Sequence, residues 1–215
     1  IQKVLILANQ SNNIVVKKLV NEKSMQRFEA VIDALSENME DIFYYEYEDI
    51  EGSVVSGLKM KSWILLGAAT EVVLQVFLSI YIEDYQSANW QQWEKFSERE
   101  VKNAIFDTLN KLIEEGKIKK EYVRSIKEAV RDEIKYHVKV HPVEKVMLDE
   151  IISFYEKNEI LDQKDIEVLR SIQKNRNCIH AYMDRDIGLW SDFQYCIRFF
   201  CALLETLTFR MPEEV

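Results

Sequence analysis

Residues 162–183 read DQKDIEVLRSIQKNRNCIHAYM, and their spacing governs how the rest of the chain is interpreted. Ile166, Leu169 and Ile172 recur three residues apart, the interval that lines one face of an α-helix. Asp162 followed by Asp165 supplies a capping arrangement ahead of the run, and Gly188 suits the exit. The spacing predicts a helix from Asp162 to about Met183. At about 100° per residue, Arg176 and His180 fall within about 20° on either side of Leu169, at the centre of the apolar face. Asn177 lies at its edge.

Similar patterns flank this helix. Upstream, Trp63–Ile82 reads WILLGAATEVVLQVFLSIYI, apolar on every side except for Glu71 and Gln75. A helix over about Leu58–Glu83, buried all round, accounts for it, since a membrane span would carry a costly central acid. Downstream, FQYCIRFFCALLETLTF predicts a closing helix, with Ser191 and Gln194 as its capping box and Pro212 as its stop. Further helices are expected over Glu98–Glu115, closed by Gly116, over Lys120–Tyr136 and over Val143–Lys157. YHVKVHPVEKV remains open between extended chain and a helix start at Pro142. The expected fold is all-α, an up-and-down helical bundle over residues 57–215. Residues 1–56 are expected to form a helical extension holding the run VLILA and an amphipathic helix over Ser24–Met39.

Composition agrees. The 215 residues are 47% hydrophobic, enough for a sizeable core and too apolar for disorder. Five glycines and two prolines are too few for the tight turns of an all-β fold. A net charge of −9 argues against bulk electrostatic coating of nucleic acid, though not against a local basic site. Cys178, Cys196 and Cys201 show neither metal-ligand spacing nor an even-numbered framework, so they are expected as reduced core residues in a cytoplasmic protein. No signal-peptide pattern opens the sequence, and the lack of a starting Met points to a processed or trimmed beginning.

An arginine at the centre of an apolar face needs a partner, a groove or a second subunit. Glu71 is the evident acid. One reading is a closed Glu71–Arg176 pair with His180 as a satisfied core histidine; the other is an open site in which both Arg176 and His180 act.

The string IQKNRNCIHAY resembles the signature of HEPN domains, where an Arg followed by Asn or Asp precedes a His on a long helix. The order of elements is similar too. An apolar helix with an internal Glu (LLGAATEVVLQ) comes first, then a variable middle, a short connection (NEILDQKD), the Arg-Asn-His helix and a closing apolar helix. The resemblance covers roughly residues 59–209. Three residues separate Arg176 from His180, where the family leaves four to six; Lys174 is the basic residue at a five-residue gap.

The resemblance implies metal-independent RNA cleavage with no cofactor, of the toxin or phage-defence kind. His180 would move the protons, Arg176 would hold the scissile phosphate and Asn177 would orient phosphate or ring. Glu71 and Lys174 would support the site, and Arg170, Lys174 and Arg185 would form a positive rim for single-stranded RNA. One such histidine per chain implies a homodimer with a composite site. An antitoxin or effector protein is a further expected partner. The alternative is a non-catalytic HEPN-like module binding RNA, a nucleotide or a protein.

Other signals are weak. His137 and His141 have a metal-ligand spacing, but Pro142 interrupts the register and HExxH is absent, so no metal is expected. Phosphate-cradling glycine loops and nucleophile elbows are also absent. Phe43, Tyr44, Tyr45 and Tyr47 form an aromatic cluster beside acidic residues, better suited to packing or a protein partner than to a nucleic-acid backbone.

Overall fold

The computed structural model describes residues 1–48, 53–88, 98–137, 142–177 and 189–213. Among the described residues, ten α-helices and one 3₁₀ turn account for the regular structure. The chain divides into two compact units, residues 1–88 with 142–215 and residues 89–141.

In the first unit the helices are α1 (Gln2–Gln10), α2 (Ile14–Leu19), α3 (Glu22–Tyr47), α4 (Ser53–Ile80) and α5 (Ile82–Ser87). A 3₁₀ turn (Val143–Lys145), α8 (Leu148–Lys157), α9 (Gln163–Arg176) and α10 (Trp190–Arg210) complete it. The fold is an all-α bundle organised on α4. Because α4 is apolar on nearly all sides it must be covered on all sides, and α1, α2, α3, α8, α9 and α10 each pack against it. Trp63, Leu66, Ala69, Leu74 and Leu78 are among its buried residues. Thr70 and Ser79 satisfy their hydroxyls on carbonyls one turn back, Leu66 at 2.8 Å and Gln75 at 2.7 Å. Val54–Ile80 is long and apolar enough to cross a membrane, and 61% of its most apolar window is buried.

The segment expected as an extension is one wall of this unit. α3 makes the most extensive helix pairing with α4, and Asn38 locks the two by donating to the Leu58 carbonyl at 2.7 Å and to Ser62 Oγ at 2.6 Å. A division at residue 56 would leave one side of α4 bare. On another side Tyr155 of α8 donates to the Leu74 carbonyl at 2.9 Å. α10 places Phe193 edge-on against Trp63, with ring centroids 5.0 Å apart, and buries Cys196, Phe200, Leu203 and Leu207.

Helix ends show where local signals were read correctly. Asp162 Oδ1 accepts the Asp165 N–H at 2.9 Å, as its spacing predicts. α10 starts earlier than the Ser191–Gln194 box implied: Leu189 is the N-cap and Asp192 accepts its N–H at 3.2 Å. α8 starts later, because Pro142 opens a 3₁₀ turn and Glu150 then takes the Met147 N–H at 3.1 Å. Cys196 is buried as expected, whereas Cys201 is exposed on the other flank of α10. Cys178 lies outside the described residues.

The second unit contains α6 (Glu98–Glu114) and α7 (Lys120–His137). Gly116, at φ 67°, turns the chain between them, with the Lys117 N–H closing back on Leu112 O at 2.9 Å. Lys127 Nζ and the Arg131 guanidinium lie 5.1 and 5.3 Å from the Phe106 ring. The second metal-ligand candidate, His141, lies outside the described residues, and no cluster of metal-binding side chains occurs among those described.

Candidate functional site

α4 and α9 cross where α9 ends. Gly67 and Glu71 stand one turn apart on the same face of α4, so the helix presents a bare patch of backbone followed by a carboxylate. The side chain of Arg176 lies along that patch. A Cβ on Gly67 would sit 2.5, 2.7 and 2.8 Å from its Cδ, Cγ and Cβ. Running over the glycine brings the guanidinium to Glu71, and Arg176 Nη1 donates to Glu71 Oε2. The glycine thus admits the arginine stem and the acid holds its head.

The pair is neither sealed in the core nor free on the surface: the Arg176 and Glu71 side chains retain 32% and 23% of their exposure. Asn177 caps α9, its N–H closing on the carbonyls of Gln173 and Asn175. Asn175, one residue before Arg176, is buried.

The expected core stripe of α9 is present, with Ile166, Leu169 and Ile172 all buried. The described helix closes at Arg176, so the expected continuation to Met183, and with it His180 and Arg185, lies outside the described residues. Lys174 is exposed about 160° around the helix from Arg176, so the two do not share a face. Arg170 is occupied elsewhere: it donates to Asp149 Oδ1 at 2.5 Å and Ser153 Oγ at 2.7 Å, with Glu156 at 3.5 Å. Gln173 adds a bond to Asp149 at 2.9 Å. Arg170 clamps α9 to α8, because acids on α8 stand within its reach.

One residue of the site was missed in the sequence, Gly67. It had a signal, since a glycine inside a helix costs about 1 kcal/mol against alanine and asks for a close approach by something else.

Chemically, the arrangement fixes one edge of a guanidinium on a carboxylate in a pair that keeps part of its exposure. Arginine's planar fork is suited to that contact. Compared with known proteins, the chain matches no protein family, no curated protein and no solved structure.

Proposed function

We propose that the chain is a HEPN-like, metal-independent endoribonuclease that cleaves single-stranded RNA as a cytoplasmic homodimer. The observation that supports this reading best is Arg176, braced by Glu71 over Gly67 yet still part-exposed, four residues ahead of His180 in the sequence. An arginine needed only to neutralise a core acid is expected to be sealed together with it, and this pair is part-exposed.

In the proposed reaction His180 of one subunit removes the proton from a ribose 2′-OH. The freed oxygen attacks the adjacent phosphorus, and the bond from phosphorus to the 5′-oxygen breaks. Protonated His180 of the partner subunit gives a proton to that leaving oxygen. The products are a 2′,3′-cyclic phosphate and a 5′-hydroxyl. Arg176 stabilises the charge that gathers on the non-bridging oxygens, and Asn177 orients the phosphate. An antitoxin or effector protein would hold such an activity in check.

The test is incubation of the purified chain with mixed single-stranded RNA in EDTA, beside His180→Ala and Arg176→Ala. Cleavage that survives EDTA, leaves cyclic phosphate ends and disappears in both variants supports the reading. If the folded protein leaves RNA intact, the Glu71–Arg176 bond favours the second reading, a non-catalytic module in which the pair fastens α9 to α4.

A further inference from the structure

On the side of the bundle formed by α3 and α10, an apolar groove of about 380 Å3 remains open. Phe28, Ile32 and Met39 of α3 face Ile197, Cys201 and Leu204 of α10 across it. The stripe on α3 continues past the groove to Phe43, which is 70% exposed and one turn beyond Met39. From Phe28 to Phe43 it runs about 22 Å, the length of four helical turns. The groove shares Ile1, Phe28 and Leu204 with a smaller apolar recess of about 70 Å3 that reaches Val72 and Val76 of α4.

Among the described side chains that line the groove, the charged ones are Glu29 and Asp33, both exposed on its α3 rim. α3 as a whole carries seven acidic and two basic residues, and the chain is at −9. An apolar trough with an acidic edge matches a helix with apolar anchors on one face and Lys or Arg beside them, and repels an acidic or lipid-phosphate surface.

We infer that the α3–α10 groove is a docking site for a basic amphipathic helix of a partner protein, with one apolar anchor entering the recess beneath Phe28. It lies apart from Arg176 and does not depend on the ribonuclease reading. Apolar anchors supply the contact area, while Glu29 and Asp33 select against acidic helices.

The experiment uses the whole chain and two designed helical peptides of about 18 residues, identical on their Leu/Phe face, one carrying Lys and the other Glu on its flanks. Binding is read by fluorescence anisotropy, and occupancy by iodoacetamide labelling of Cys201 mapped by peptide mass. The Lys peptide should bind at least about tenfold more tightly than the Glu peptide and shield Cys201. Glu29→Lys with Asp33→Lys, both surface changes, should invert that preference, and Ser36→Trp should fill the groove and weaken both peptides. Equal binding of the two peptides, indifference to the rim reversal, or binding that leaves Cys201 fully reactive would overturn the proposal. So would a concentrated protein that self-associates and shields Cys201 without peptide, since the occupant would then be a second copy.

Discussion

Gly67→Ala is the substitution whose sign tests the packing of the site. In an ordinary helix interior, alanine stabilises by about 0.5–1 kcal/mol over glycine, because it restricts the unfolded chain more. Here the added methyl meets three carbons of Arg176 at 2.5–2.8 Å, all inside van der Waals contact. Forcing such an overlap costs about 1–3 kcal/mol, so the variant should lose about 1–2 kcal/mol net, or roughly 2–8 °C in Tm for a domain of this length. In an Arg176→Gly background all three obstructing carbons are gone, and the same methyl should stabilise by about 0.5–1 kcal/mol. Urea unfolding of the four proteins in this double-mutant cycle gives the coupling directly, expected at about 1–3 kcal/mol. If Gly67→Ala stabilises the parent protein, Arg176 does not lie against Gly67 and the site as described is wrong.

Glu71→Gln keeps the shape of the acceptor and removes its charge; because both partners are part-exposed, the loss should be about 1 kcal/mol and should narrow at about 1 M salt. A gap indifferent to salt would show that packing, not charge, was lost. Tyr155→Phe removes the bond to the Leu74 carbonyl and should cost about 1 kcal/mol in urea unfolding at neutral pH. Burial holds the Tyr155 phenol well above its ordinary range, so the folded chain keeps a proton that the unfolded chain releases above about pH 10. That contribution is complete below this pH and is lost as pH rises, so the phenylalanine variant should show a shallower fall in stability on the alkaline side; parallel curves would refute the assignment. For the thiols, burial pushes Cys196 up to about 11, with Asp192 adding to the rise and a hydrogen bond with Ser171 opposing it. Iodoacetamide at pH 8 should therefore label Cys201 and spare Cys196 in the folded protein, and equal labelling would contradict the packing of α10.

Much of the helical content was legible in the sequence. The apolar run of α4, the Asp162 cap and the stripe Ile166–Leu169–Ile172 are signals carried within one or two turns, where neighbouring residues decide the outcome. The errors at the starts of α8 and α10 are also local: each helix uses an acid three residues inside it, Glu150 or Asp192, where a serine box or a proline start had been expected. The partners of Arg170 were not legible for a different reason: Asp149 and Ser153 come within its reach only once α8 packs beside α9.

The sequence by itself determined that the fold class is all-α, that α4 must be enclosed, and that Arg176 sits on the face of α9 that turns inward. Helical periodicity is a property of consecutive residues, so those conclusions needed no knowledge of distant ones. Tertiary structure decided what that face meets. Glu71 and Arg176 are 105 positions apart, and what joins them is the absence of a side chain at Gly67, which lets the helices approach until the guanidinium reaches the acid. Tertiary packing likewise drew residues 1–48 into the unit as a wall, because an apolar helix exposed on any side leaves surface in water that only another helix can cover.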